Sequence, residues 1–277
     1  MEQIDFSSLL KKRLSDSHKG SYGKILLICG SKGYTGAAAL AAMGALRTGA
    51  GLVYLAVPES IYAIEAVKLL EPVVFALPDL DGMLAKEASD IIVSKLGQMD
   101  AVLIGPGLGV SKGTEYVVKE VLQKAKCPVV LDADGINLLS GHKDILRERK
   151  APTILTPHPG EFQRFTGKMI ADRLLDATEL ASNCRVIVLL KGHQTVVTDG
   201  KRQYINHTGN PGMATGGSGD VLAGIIVSLI GQGVPPFEAA AFGAWLHGRA
   251  GDICAEEIGE YGMLPQDMLN ILPRLLP

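Results

Sequence analysis

Neither sign of charge dominates this sequence of 277 residues: 27 Lys and Arg stand against 29 Asp and Glu, a net charge of -2. That balance excludes the basic footprint of a nucleic-acid partner. Aromatic residues make up only 5%, and Trp245 is the single tryptophan, too few for a base-stacking platform. The four cysteines, Cys29, Cys127, Cys184 and Cys254, are far apart and form no C-x-x-C pair. They read as reduced thiols of a cytoplasmic protein, Cys29 and Cys184 lying in or beside strand-like apolar runs. The longest apolar stretches, such as 221–230, fall well short of the roughly 20 residues that span a bilayer, so no membrane partner is expected. No apolar segment follows Lys11-Lys12-Arg13, so no signal peptide is expected.

Several binding signatures are also missing. Nothing matches G-x-x-x-x-G-K-[ST]. G-x-G-x-x-G fails after Gly105 and Gly107, where Val110 takes the third glycine's place, and after Gly217 and Gly219, where Leu222 does. A dinucleotide site of the usual Rossmann form is therefore not supported. G-x-S-x-G fails at Ser218 because Asp220 replaces its last glycine. The six histidines show no zinc spacing.

What the chain has in excess is glycine: 33 of 277 residues, about 12% against a usual ~7%, with no G-X-Y period. Apolar residues make up 47% and charged residues 20%, a globular balance. Apolar runs at 24–29, 52–57, 101–104, 128–131, 153–155 and 186–190 read as buried strands. Helical patterns at 36–48, 60–70, 84–96 and 113–124 separate most of them. Such alternation predicts an α/β fold with a parallel sheet covered on both faces. Residues 195–198 and 202–205 flank Asp199-Gly200, which predicts a hairpin with a tight primed turn. The chain from Gly216 onward reads as mostly helical. No linker, repeat or charge block interrupts the sequence, so residues 1–277 are expected to form one domain.

Ligands of such sheets bind beyond the carboxyl ends of the strands. The outstanding run is Asn210-Pro211-Gly212-Met213-Ala214-Thr215-Gly216-Gly217-Ser218-Gly219-Asp220, followed by an apolar helix. Glycines let backbone N–H groups converge on a ligand, and a helix N-terminus favours an anion such as phosphate. A carboxylate at that mouth suits a base that takes a proton from an attacking hydroxyl; helix capping is the plainer role. Lys191 offers a point charge for phosphate, or is simply solvated. In Thr156-Pro157-His158-Pro159-Gly160-Glu161, Pro159 and Glu161 suit a helix start, and Glu161 also suits a water-coated Mg²⁺. Asp132 and Asp134 shape the site, assist a metal or cap a helix. The small-residue helix at 36–51 is expected to pack closely, and Gly105–Gly109 forms a strand-end loop.

Together these runs resemble the ADP/ATP-dependent NAD(P)H-hydrate dehydratases of the ribokinase-like superfamily. TPHPGE stands where sugar and pyrimidine kinases of that superfamily show T-P-N-x-x-E, with His158 in place of Asn. GAGLV (49–53), GPGLG (105–109), LDADGIN (131–137) and NPGMATGGSGDVLAG (210–224) follow in family order. The resemblance implies a three-layer α/β/α sandwich with a mostly parallel central sheet. It implies dehydration of the 6S hydrate of NADH or NADPH, driven by ADP or ATP with Mg²⁺, in a cytoplasmic homotetramer. Asp220 would be the catalytic base and Gly216, Gly217, Ser218 and Gly219 the anion hole. Lys191, Gly192, His193, Gln194 and Thr195, with Asn210, Pro211, Gly212, Met213, Ala214, Thr215 and Gly219, would bind the nucleotide. Ala42, Gly105, Gly107, His158 and Asp220 would meet the hydrate, and Glu161 would reach Mg²⁺ through water. A companion epimerase domain, which some relatives carry at the N-terminus, is not expected, since none would fit in the first ~20 residues. A ribokinase-like kinase of a small alcohol, of the hydroxymethylpyrimidine or hydroxyethylthiazole type, is the alternative on the same residues. A catalytically silent nucleotide-binding regulator is a third.

Overall fold

A computed structural model of the chain describes residues 4–10 and 12–277; Lys11 of the basic triplet lies outside them. After 3-10 turns at Phe6–Ser8 and Lys19–Tyr22 come β1 (Lys24–Ile28), α1 (Thr35–Arg47), β2 (Leu52–Pro58), α2 (Glu59–Lys68), β3 (Val73–Leu77), β4 (Asp79–Leu80), β5 (Met83–Leu84) and α3 (Ala88–Leu96). Then follow β6 (Ala101–Ile104), α4 (Lys112–Lys124), β7 (Val129–Leu131), α5 (Asp134–Asn137), α6 (Asp144–Glu148), β8 (Thr153–Leu155), α7 (Pro159–Thr166), α8 (Arg173–Cys184) and β9 (Ile187–Leu190). The chain finishes with β10 (Val196–Thr198), β11 (Gln203–Ile205), a 3-10 turn at Pro211–Met213, α9 (Ser218–Gly231), α10 (Pro236–Ile258), α11 (Pro265–Ile271) and a closing 3-10 turn.

The main sheet has the order β11-β10-β9-β8-β7-β6-β1-β2-β3. From β3 to β9 every neighbour is parallel, and β10 and β11 add an antiparallel edge. Alternate residues of a strand face opposite sides. Ile25 and Leu27 accordingly enter a core shared with α1, α9, α10 and α11, while Leu26 and Ile28 enter one shared with α3, α4, α7 and α8. Both faces are covered, so the strands are apolar on both sides, and the three-layer sandwich is the one expected. No helix of the described residues is long and apolar enough to cross a membrane.

The small-residue helix α1 packs as expected, but more closely than side chains allow. A Cβ at Gly44 would lie 2.7 Å from the Val221 carbonyl, and one at Gly224 would overlap the Ala41 carbonyl. Backbone therefore meets backbone where α1 crosses α9.

Local departures from the expected pattern have identifiable causes. Asp199-Gly200 does not make a primed two-residue turn. Asp199 lacks the positive φ this needs; its carboxylate instead accepts from the amides of Lys201 and Arg202 at 2.9 and 2.7 Å, within a four-residue loop. Residues 84–87 precede α3 rather than opening it, because Leu84 pairs with Asp79 in a two-residue ribbon. Edge strand β3 escaped the reading of buried runs; Val73 and Ala76 are exposed. Cys184 closes helix α8, just beside the strand-like run as expected. All four cysteines are free.

Candidate active site

The parallel strands end at one edge, and the order reverses between β1 and β6, the usual place for a ligand crevice. The loops leaving these strands are joined there. Gly30 N–H donates to the Pro106 carbonyl at 2.8 Å, and Ser31 Oγ donates to the Gly107 carbonyl at 2.7 Å. Gly105 has φ 127°, and a Cβ on it would overlap the Asp132 carbonyl. Positive φ and backbone crowding together require glycine here. Asp134 fixes the same loop, its Oδ2 accepting from Gly109 N–H at 2.9 Å. Of the three roles open to Asp134, shaping the site is the one its bonds support. Ala133, between the two carboxylates, sits at φ 48°, a strained setting of the kind that clusters at functional sites.

Asp132, at the end of β7, is buried. Its Oδ1 accepts from Thr156 Oγ1 at 2.6 Å and from Lys191 Nζ at 2.7 Å. Lys191 lies at the end of β9 and also comes within 3.7 Å of Glu161 Oε2. One ammonium thus bridges carboxylates from two neighbouring strand ends. Burial works against its charge, but Asp132 and Glu161 outweigh that and raise its pKa.

His158 and Glu161 form a reciprocal cap at the start of α7. His158 Nδ1 accepts from the amides of Gly160 and Glu161 at 3.0 and 3.3 Å, and Glu161 Oε2 accepts from the His158 amide at 2.8 Å. Capping does not exhaust His158, whose ring remains exposed. Glu161 is buried. Among the described residues no group of three or more His, Cys, Asp or Glu is placed to hold a metal. The donors suit an ion held mostly by water and phosphate oxygens.

Asp220 lies in the first turn of α9, whose N-cap is Gly217 at φ 97° with no side-chain cap. Among the described residues the amides of Gly216, Gly217, Gly219 and Asp220 find no hydrogen-bond partner. A helix N-terminus left this way is an anion cradle. Space around it is open: a Cβ at Gly216 would meet nothing within 4 Å, and one at Gly219 only the Lys191 ammonium at 3.3 Å. Burial, reinforced by Asp132 and Glu161 and opposed by Lys191, raises the Asp220 pKa to about 7. A carboxyl so poised passes protons readily near neutral pH.

The two segments expected to meet the nucleotide, 191–195 and 210–215, both carry exposed residues. Gly192, His193 and Gln194 are exposed at the β9–β10 connection, with Gln194 at φ 52°. Thr195 Oγ1 donates back to the Gly192 carbonyl at 2.9 Å. Asn210 caps the 3-10 turn Pro211–Met213 through Gly212 N–H at 3.0 Å, and Ala214 and Thr215 are exposed. Ala42 is fully buried in the core that includes α9. It offers no free surface to a ligand.

Three supporting residues escaped sequence reasoning. Arg173 Nη2, from the first residue of α8, donates to the carbonyls of Leu190 and Lys191 at 2.8 and 3.1 Å. His247 of α10 is buried, with Nε2 3.2 Å from Ser218 Oγ, and burial lowers its pKa to about 4. Asp252 contacts the segment ahead of the anion loop. The one available signal was the spacing of Gly248 and Gly251 on α10, which marks a helix face that another segment approaches closely.

Comparison with known proteins shows the family. A family model described as NAD(P)H-hydrate dehydratase matches residues 25–274. A bifunctional NAD(P)H-hydrate repair enzyme of Moorella thermoacetica is 46% identical over 97% of this chain, which spans 52% of that relative. The chain thus spans about half the length of the bifunctional relatives it matches. The ADP-dependent (S)-NAD(P)H-hydrate dehydratase of Neisseria meningitidis is 38% identical over 92% of this chain and 85% of its own. Among solved structures, the ADP/ATP-dependent NAD(P)H-hydrate dehydratase of Bacillus subtilis, co-crystallised with ATP/Mg²⁺, superposes with TM-score 0.80 at 33% identity, covering 96% of this chain and 93% of that one. A hydroxyethylthiazole kinase of Pyrococcus horikoshii shares the fold alone, with TM-score 0.64 at 16% identity over 94% and 91% of the two chains.

Proposed function

The chain belongs to the NAD(P)H-hydrate dehydratase family, and from that premise we propose that it returns the 6S hydrate of NADH or NADPH to the reduced dinucleotide at the expense of ADP or ATP. The observation that carries this reading is Asp220, its pKa raised to about 7, in the first turn of a helix with unpaired amides. Residues 1–277 act in this reading as one domain, in a cytoplasmic homotetramer.

Hydroxide is a poor leaving group, so the hydrate hydroxyl must first be phosphorylated. Asp220 accepts its proton as the oxygen attacks the terminal phosphoryl group and the shortened nucleotide departs. Amides at 216–220 stabilise the charge that gathers on the phosphoryl oxygens. The ring nitrogen's electron pair then breaks the C–O bond and expels phosphate, and loss of a ring proton restores the double bond. Asp132 and Lys191 hold the floor of this site, and the 191–195 and 210–215 segments receive the nucleotide. His158, Gly105 and Gly107 face the hydrate. Bound magnesium would be held by water and phosphate oxygens, with Glu161 the nearby carboxylate, and would neutralise phosphate charge.

Mixing purified protein with hydrate, Mg²⁺ and ADP or ATP should restore the absorbance of reduced nicotinamide, with AMP or ADP and phosphate as co-products. Asp220→Asn should bind nucleotide but lose activity by a factor of about 10²–10⁴. A stable phosphorylated alcohol without reduced dinucleotide would instead identify an alcohol kinase.

A further inference from the structure

The amides at 216–220 receive an anion only if the segment before them is held in shape, and that segment has little of its own to hold it. Residues 206–213 lie outside regular strands and α-helices. They run along one face of α10. Asn206 Nδ2 donates to the Ala244 carbonyl and Thr208 Oγ1 to the Trp245 carbonyl, both at 3.1 Å. Gly248 and Gly251 leave room for Thr208 and Met213, which a Cβ at either position would strike.

Asp252 closes this run. Both of its carboxylate oxygens accept from the Gly209 amide at 3.1 Å, and Oδ1 also accepts from Asn210 Nδ2 at 3.1 Å. Asn210 in turn receives Gly212 N–H on its Oδ1. A single carboxylate on a long helix thereby fixes the backbone at 209 and the side-chain orientation at 210, and through it the turn at 211–213. Gly209 has φ 103°, a conformation the loop keeps only while something selects it.

We infer that Asp252 is a positioning residue for nucleotide binding: it holds segment 209–213 in the shape that receives the nucleotide, without touching a reacting atom. The inference rests on the nucleotide role proposed for 210–215. Asp252→Asn is nearly isosteric, but an amide offers one acceptor oxygen and one donor group. Its one oxygen can still accept from both Gly209 N–H and Asn210 Nδ2, as Oδ1 does now, but without the negative charge, and the amino group that replaces Oδ2 sets a donor against the Gly209 N–H. Loss of the charge assistance together with that opposed donor should weaken binding about 10–100-fold.

The test measures ATP and ADP affinity by calorimetry, and nucleotide KM, hydrate KM and kcat by the dehydratase assay. Wild type, Asp252→Asn, Asp252→Glu and Asn210→Ala are compared. Asp252→Asn and Asn210→Ala should each raise nucleotide Kd and KM about tenfold or more, with hydrate KM unchanged and kcat at saturating nucleotide within about threefold. Asp252→Glu, which keeps the charge, should recover part of the loss. Thermal melts without nucleotide should match wild type. Unchanged nucleotide affinity in folded Asp252→Asn overturns the inference while leaving the proposed function intact. So does a fall in kcat with KM unchanged. Failure of the wild-type protein to bind either nucleotide overturns both.

Discussion

Replacing Asp220 by asparagine should abolish activity and make the protein harder to unfold. In the folded chain this carboxyl keeps its proton up to about pH 7, against an ordinary value of 3.8. Between those limits the native state holds a proton that the unfolded chain has released. Stability therefore falls as pH rises through the window and levels off above it. Three pKa units correspond to about 4 kcal/mol, felt in full at pH 8, whereas at pH 5 only about 1.5 kcal/mol has been lost. Asparagine is neutral throughout and escapes that loss. Urea unfolding of nucleotide-free protein, followed by Trp245 fluorescence, should show the variant more stable than wild type at both pH values. The gain at pH 8 should exceed the gain at pH 5 by about 2–3 kcal/mol. A variant no more stable than wild type at pH 8, or one stabilised equally at both, would refute the account of Asp220 as a carboxylate kept charged at a cost.

In the proposed reaction the same carboxyl should govern rate. The dehydratase kcat/KM should climb about tenfold from pH 6 to pH 8 and then flatten, as the free base accumulates; Asp132→Asn, which removes a neighbouring negative charge, should move that limb to lower pH, and a flat profile counts against Asp220 as the base. Two glycine substitutions should diverge. Gly219→Ala places a methyl group at the mouth of the anion cradle beside Lys191 but overlaps no backbone, so it should melt like wild type while binding nucleotide about tenfold more weakly or worse. Gly105→Ala combines φ 127° with overlap of the Asp132 carbonyl and should lose about 3 kcal/mol or more of stability. Soluble, wild-type-like Gly105→Ala would show that the strand-end crowding is relieved by movement.

Much of this architecture was legible because it rests on local patterns. The strands 101–104 and 153–155 begin and end where their apolar runs do, since a strand buried on both faces tolerates nothing else. The start of α7 at Pro159 follows from proline's fixed φ. Edge strand β3 was harder: its exposed residues dilute the apolar signal that marked its buried neighbours. The glycine excess carried two meanings that composition cannot separate. Gly216 faces open space, as a ligand loop should, whereas Gly44, Gly105 and Gly224 are pressed against other backbone. Asp132 and Lys191, 59 positions apart, meet only because β7, β8 and β9 are adjacent. Locally, Asp132 read equally as a site or metal residue or a helix cap, and Lys191 as a phosphate charge or a solvated one; their pairing was not visible. Asp252 lies beyond the reach of motif reading because its partners belong to a loop that has no periodicity.

The contact between α1 and α9 has a kinematic consequence. Where Gly44 faces Val221 and Gly224 faces Ala41, no side chain stands between the helices to tilt or change rotamer, so neither helix can slide or roll past the other without collision. The helix bearing Asp220 and the small-residue helix α1 therefore travel as one frame. In the proposed reaction, admission and release of nucleotide-sized molecules would then be left to the exposed segments at 192–194 and 214–216.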